Sequence, residues 1–184
     1  MMKKNLILTC FTHILLILSF HALAQSNLEA PNENMLLNLD KEGQTQLNWV
    51  NKPENFSLNE GILKIEALKG TDFFIDPENN KVTATAPFLY KEFTGDFVAT
   101  ALVKPDFKDQ WNACALFMMI DDLHWIKFAF ENSDATGKSI VSVVTREVSD
   151  DANGAILKEA QQIWVKLIRK GNLYAMHWSL DGEN

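Results

Sequence analysis

Apolar and polar residues alternate in short segments along most of the chain, with turn-forming residues between the segments. Each segment is long enough for one strand and short for a helix of typical length. The segments occupy residues 61–68, 71–75, 87–93, 97–104, 112–120, 124–131, 139–146, 162–169 and 173–179. Short strands at such regular spacing predict an all-β sandwich or barrel.

Helix receives little support from the same pattern. Residues 155–166 carry apolar side chains at helical spacing, but the second half of this stretch also fits a strand that leads into Gly171. Glycine and proline at positions such as Gly70, Pro77 and Gly171 fall between apolar segments, where turns are expected. We therefore predict at most one turn of helix over 155–166.

The segment 124–131 shows the clearest two-residue period. Side chains alternate across a sheet, so its two faces are predicted to have different surroundings. The face predicted to lie in the core carries Ile126, Phe128 and Phe130. The face predicted to be solvated or to contact a ligand carries Trp125, Lys127, Ala129 and Glu131.

Two further strands are predicted to add to this polar face. In 139–146, Arg146 joins Lys127 and Glu131 only if the hairpin over 132–138 sets that register, which the sequence leaves open. In 162–169, Trp164 and Lys166 alternate with apolar residues that are predicted to face the core. The sequence thus predicts one polar face that carries two tryptophans.

The N-terminal residues 1–24 have the three parts of a secretory signal peptide. Two lysines precede an apolar run over 6–20, and Ala22-Leu23-Ala24 forms a small-x-small cleavage site. We expect cleavage after Ala24 and a secreted or periplasmic protein. The run is short for a membrane span of about 20 residues, but an uncleaved N-terminal anchor stays open as an alternative. Residues 25–46 form a polar lead-in, and 47–184 are predicted to form the folded domain.

Charge and cysteine content narrow the classes of partner. The formal net charge is −7, and loss of the two leader lysines makes it −9, which disfavours nucleic acid and anionic membranes. A neutral ligand such as a sugar is unaffected by this charge. Only Cys114 follows the leader, so we expect no internal disulfide, and one cysteine with three scattered histidines excludes a metal-cysteine site. No cofactor is predicted. The oligomeric state is left open.

A series of short motifs gives the segment 47–184 a family resemblance. The motifs are Leu47-Asn48-Trp49, Asp72-Phe73-Phe74, Ala86-Pro87-Phe88, Trp125-Ile126-Lys127 with Glu131, and Ser179-Leu180-Asp181-Gly182. In this order they resemble the domain of unknown function 1349, also called regulation-of-enolase-protein-like, within the concanavalin A-like lectin and glucanase superfamily. The resemblance implies a two-sheet antiparallel jelly-roll sandwich with a concave face, on which many relatives in the superfamily hold sugars. Similar proteins continue past Gly182 with another strand, so we expect a C-terminally truncated domain.

The polar face carries the residue types that bind carbohydrate. Aromatic rings stack on the apolar side of a pyranose, and planar polar groups hydrogen-bond its hydroxyls. The candidate ligand-binding residues are Asp72, Trp125, Lys127, Glu131, Arg146, Trp164 and Lys166. The same residues also fit a surface ion network with tryptophans packed at the sandwich edge, and that alternative stays open.

No catalytic residues are predicted. Glycosidases use two carboxyl groups at a set separation, and the Glu-x-Asp-x-x-Glu string of the related glucanases is absent here. Glu131 has no acidic residue two positions away, and Asp72 is the next carboxylate to consider. We predict a non-catalytic carbohydrate-binding module. The alternatives are a glycoside-acting enzyme that uses Glu131 and a protein-interaction module.

The polar stretch 149–154 carries two aspartates, an asparagine and a glycine. Calcium favours such oxygen-rich loops, but the first and last positions of the EF-hand pattern do not match here. We predict a polar turn, with structural calcium as the alternative.

Overall fold

In a computed structural model, which describes residues 34–37 and 47–183, the chain folds almost entirely into antiparallel strands. The strands are β1 (Asn48–Val50), β2 (Phe56–Asn59), β3 (Ile62–Ile65), β4 (Phe73–Ile75), β5 (Val82–Ala84), β6 (Phe88–Tyr90), β7 (Phe97–Val103), β8 (Ala113–Asp121), β9 (His124–Ser133), β10 (Gly137–Arg146), β11 (Val148–Ile156), β12 (Ile163–Lys170) and β13 (Leu173–Ser179).

Two sheets face each other and enclose the main core. One has four strands in the order β11-β10-β9-β8, and the other has three in the order β13-β12-β7. Their facing side chains are Phe128, Phe130 and Ile140 from the first sheet and Val103, Ile163, Val165 and Leu167 from the second. Burial of each large apolar side chain in this layer stabilises the fold by about 1.5–3 kcal/mol. The predicted antiparallel β-sandwich is confirmed, whereas the jelly-roll connectivity stays a prediction.

A second apolar cluster lies on the other side of the four-stranded sheet, which we call the outer face. Strands β4 and β6 lie over this face, and the cluster comprises Phe73, Ile75, Trp125, Val141 and Val143 with Phe88 and Phe117 packed against them. The backbone N–H of Ile75 donates to the Ser149 hydroxyl at 2.8 Å, which ties β4 to β11. The cluster occupies the part of the face near the start of β9. Glu131, near the end of β9, lies outside it.

The nine predicted strands are all present, with shifted ends, as β3, β4, β6 to β10, β12 and β13. The expected limit on helix is also confirmed for 155–166, because β11 ends at Ile156 and β12 begins at Ile163. Between them, the N–H of Ala160 donates to the Leu157 carbonyl at 3.1 Å and closes a single turn.

The prediction of a polar turn over 149–154 is wrong, because these residues belong to β11. They pair with β10 in a register that joins Ser149 to Thr145 and Asn153 to Val141. Successive side chains of a strand point to opposite faces, so Asp150 and Asp151 do not converge on one cation. Within the described ranges, no group of three or more His, Cys, Asp or Glu side chains is arranged to hold a metal.

Several sequence expectations fall outside the described residues. The signal peptide over 1–24 and most of the polar lead-in over 25–46 lie there. Among the residues that are described, no helix is long and apolar enough to cross a membrane.

Candidate functional site

The hairpin between β9 and β10 decides which polar side chains share a face. A loop of three residues, 134–136, joins the paired ends, and Gly137 has a φ of 71°. Glycine adopts this left-handed conformation without the steric cost that other residues bear. The resulting register pairs Glu131 with Ser139 and Lys127 with Val143. Directly opposed residues of antiparallel strands point the same way, so all four lie on the outer face.

Lys127 carries a largely buried positive charge at the border of the apolar cluster. Its ammonium lies 2.8 Å from the Asp72 carboxylate and donates to the carbonyl of Phe73 at 3.1 Å. The Lys127 side chain is 12% exposed, whereas that of Asp72 is 49% exposed. Asp72 is itself fixed, because its carbonyl accepts the N–H groups of Thr85 and Ala86 at 2.8 and 3.2 Å. The ion pair therefore ties the segment before β4 to the four-stranded sheet.

Glu131 is the titratable group on this face with the most perturbed environment. Burial raises the pKa of its carboxyl from 4.5 to about 7, although the positive charge of Lys127 opposes this rise. The negative charges of Asp72, Asp151 and Asp134 raise the pKa further. Near neutral pH this carboxyl exists in both protonation states, so it both donates and accepts hydrogen bonds.

The neighbours of Glu131 across the strands are short. Ala113 of β8 and Ser139 of β10 lie opposite Glu131, and Ala115 lies opposite Ala129. Lys127 and Glu131 are separated by four positions on one strand, which corresponds to about 13 Å along it. Between Lys127 and Glu131 the sheet surface is formed by Ala129 and its opposite neighbour Val141, which are 0% and 3% exposed and therefore buried.

A hydrogen-bonded chain of neutral groups borders Glu131 on the other side. The hydroxyls of Thr136 and Ser139 lie 2.8 Å apart, and the Thr136 hydroxyl donates to the Asn153 side-chain oxygen at 3.1 Å. The sequence pattern did not mark Thr136 or Ser139 as part of a site, and it considered Asn153 only within the 149–154 stretch. Ser139 was predicted to begin a strand, but only the register places it beside Glu131. Thr136 and Asn153 come from a loop and an unpredicted strand.

The prediction that Trp125 contacts ligand is wrong. Trp125 does share a face with Lys127, but it is only 4% exposed. Its ring stacks on Phe117 with centroids 5.0 Å apart, under the strands that cover this end of the sheet. A sugar cannot reach that ring, so Trp125 belongs to the core.

Arg146 and the β12 pair are also separated from Glu131. Arg146 pairs with His124 at the far end of the hairpin and alternates with Thr145, so it points to the face opposite Lys127. The register that the sequence left open therefore does not bring Arg146 to the face of Lys127 and Glu131.

Trp164 and Lys166 lie on the outside of the second sheet, because Ile163, Val165 and Leu167, which alternate with them, face the core. Packed sheets are about 10 Å apart, so the whole core separates these two residues from Glu131. A Cβ added at Gly182 would lie 2.9 Å from the Trp164 ring, which shows how closely the 179–182 turn covers it. The predicted single face with two tryptophans is wrong, and the residues brought together are Asp72, Lys127 and Glu131.

We expect Asp72→Ala to lower the free energy of unfolding by about 1.5 kcal/mol, because it leaves the buried Lys127 ammonium with one neutral acceptor. Urea unfolding measures this change. Asp106→Ala is the matched control, since its ion pair with Lys108 is 77% and 74% exposed. The control should change stability by less than about 0.5 kcal/mol. Equal effects of the two substitutions would contradict a structural role for the Lys127 pair.

Comparisons with known proteins agree with this fold. A family model described as "Protein of unknown function (DUF1349)" matches residues 49–184, and the chain belongs to this family. The predicted family is thus confirmed, while membership of the concanavalin A-like superfamily stays a prediction.

A curated yeast protein and a solved yeast structure are similar to the chain. "Regulation of enolase protein 1" of Saccharomyces cerevisiae (strain ATCC 204508 / S288c) is 27% identical over 130 residues, which cover 70% of this chain and 65% of the relative. The chain therefore spans less than two thirds of that relative. A crystal structure of a functionally unknown protein from Saccharomyces cerevisiae has a TM-score of 0.69 at 26% identity, covering 76% of this chain and 75% of that one.

Proposed function

We propose that this protein is a non-catalytic carbohydrate-binding module whose site is the part of the outer face around Lys127 and Glu131. The observation that carries the proposal is that one strand face holds both the buried Lys127 cation, which is paired with Asp72, and the half-buried Glu131 carboxyl, whose pKa is about 7. Such a pair offers donors and an acceptor at fixed positions. Sugar hydroxyls need both, because each hydroxyl donates one hydrogen bond and accepts others.

The charge balance also favours a neutral, polyhydroxylated ligand. Asp72 offsets the charge of Lys127, and Glu131 is partly protonated near neutral pH. The chain as a whole is negative, which repels anionic ligands at long range. A secreted or periplasmic location, proposed from residues 1–24, would bring such a module into contact with polysaccharides.

A glycan array with the purified protein tests this proposal. We expect the wild type to bind at least one glycan and Lys127→Met to lose that signal, because the substitution removes the donors while roughly keeping side-chain length. Arg146→Met is the matched control, since it removes an exposed cation from the opposite face. Circular dichroism of each variant separates loss of binding from loss of fold.

Two outcomes would contradict the proposal. If a folded wild type binds no glycan on the array, the result would argue for a protein contact instead. Equal binding by the wild type and Lys127→Met would mean that the glycan binds elsewhere on the protein. The surface that carries Trp164 and Lys166 would then be tested next.

Glu131 also supports a second candidate, a glycoside-acting enzyme. A carboxyl whose pKa lies near the working pH is suited to general acid catalysis, and a partner carboxylate is required. Asp72, Asp134 and Asp151 are all close enough for their charges to raise the pKa of Glu131. Release of reducing ends from an array-positive glycan, abolished by Glu131→Gln, would favour the enzyme over the binding module.

A further inference from the structure

Trp111 combines two properties that are unusual for a tryptophan. Its side chain is 64% exposed, and its backbone has a φ of 63°, in the left-handed region. Large side chains seldom adopt this region, because the Cβ atom approaches the following carbonyl. Sparsely populated backbone conformations persist where the surrounding structure enforces them, and they cluster at binding sites.

The surrounding loop does enforce this conformation. The N–H of Trp111 donates to the Asn132 carbonyl at 2.7 Å, and the N–H of Asn132 donates to the Asn112 carbonyl at 3.0 Å. The Asn112 side-chain oxygen accepts the N–H groups of Lys108 and Asp109 at 3.0 and 2.7 Å.

An aromatic contact anchors the same loop on the core. The ring of Phe107 packs edge-on against Phe130 with centroids 4.8 Å apart, and the Lys138 ammonium lies 5.1 Å from the Phe107 ring centroid. Because hydrogen bonds and packing both hold the loop, the exposure of Trp111 belongs to a fixed backbone.

The position of Trp111 relates it to the candidate site. Asn132, its hydrogen-bond partner, directly follows Glu131, and Ala113, two residues after Trp111, pairs with Glu131. From strand spacing, the backbones of Trp111 and Glu131 are roughly 8 Å apart. An exposed aromatic residue therefore lies at the Glu131 end of the site, whereas Trp125 is buried and cannot contact a ligand.

We propose that Trp111 is the aromatic platform on which a pyranose ring of the bound carbohydrate stacks, next to Glu131. This inference rests on the proposed function. Stacking matches the chemistry of the ligand, because the apolar face of a sugar ring packs on an aromatic face while its hydroxyls remain free for polar groups. An exposed indole on a fixed backbone binds at a small cost in conformational entropy, since only its two side-chain torsions are ordered on binding.

Calorimetric titration with a glycan found on the array tests the inference. We expect Trp111→Ala to weaken binding about tenfold or more, and Trp111→Phe to retain most of the affinity because an aromatic face is kept. Tyr174→Ala is the matched control, since Tyr174 is an exposed aromatic residue of β13 in the second sheet. Stacking should also change the tryptophan fluorescence of the wild type on binding, and Trp111→Phe should lose that change.

The outcomes separate this inference from the proposed function. If the wild type binds and Trp111→Ala binds equally well, the inference is overturned and the Lys127 and Glu131 site stands. If a folded wild type binds no glycan, both are overturned. Should Trp111→Ala fail to fold, Trp111→Gly, which relieves the left-handed backbone, replaces it. A folded Trp111→Gly that binds like the wild type would equally overturn the inference.

Discussion

Replacement of Trp125 by alanine is expected to lower the free energy of unfolding by about 4 kcal/mol. Trp125 is 4% exposed and stacks on Phe117, which in turn contacts Phe73 and Phe88 with ring centroids 5.0 Å apart. Loss of the indole would empty the space between the four-stranded sheet and the strands above it. Chemical denaturation, compared with the wild type at one pH, measures the change.

Trp111→Ala is the control for this prediction, because it removes the same side chain from a site that is 64% exposed. It should change stability by less than about 0.5 kcal/mol. A change of less than about 1 kcal/mol in Trp125→Ala would contradict the burial of the ring. The prediction also means that a loss of glycan binding in Trp125→Ala would report on the fold rather than on a ligand contact.

Glu131→Gln is expected to stabilise the protein at alkaline pH by about 2 kcal/mol and to have little effect near pH 5. The pKa of Glu131 is about 7 in the folded protein and near 4.5 in the unfolded chain, so the folded form binds the proton more tightly. Stability therefore falls as the pH rises from about 4.5 to 7, and the lost part stays absent above that range. Glutamine has the shape of the protonated carboxyl and does not titrate.

Urea unfolding at several values between pH 5 and pH 8 measures this difference. Glu159→Gln is the matched control, because it removes the same charge from an exposed residue in the turn after β11. The control should leave the pH dependence of stability unchanged. A Glu131→Gln protein whose stability falls with pH as steeply as that of the wild type would contradict the burial of this carboxyl.

The local pattern predicts strands well where strong apolar residues alternate with polar ones. Ile163, Val165 and Leu167 occupy every second position, and all three face the core between the sheets. The pattern fails for β11, because Asp, Asn and Gly are rare in strands. That strand lies at an edge of its sheet, where backbone hydrogen bonds to β10 on one side are sufficient to hold it.

The site was only partly predictable, because two of its determinants are distant in sequence. Alternation alone places Trp125 on the same face as Lys127, but the burial of Trp125 depends on Phe73 and Phe88, from short strands far earlier in the chain. The ion pair of Lys127 with Asp72, 55 positions away, likewise cannot be predicted from a local pattern.

The position of Arg146 depended on the hairpin register. Shifting the register by one residue would move every side chain of β10 to the other face. The three-residue loop and the left-handed Gly137 fix that register, and they place Arg146 away from Glu131. The sequence contains both features, but it does not reveal which residues they pair.

The outer face holds a half-buried Glu131 carboxyl that exchanges its proton near neutral pH, on the same strand as the Lys127 that pairs with Asp72. An NMR titration of the Glu131 side-chain carboxyl tests this most directly. We expect a midpoint near pH 7, and a higher midpoint in Lys127→Met, because the charge of Lys127 lowers this pKa in the wild type. A midpoint near 4.5, the ordinary value, would contradict the site. So would a midpoint that is the same in Lys127→Met as in the wild type.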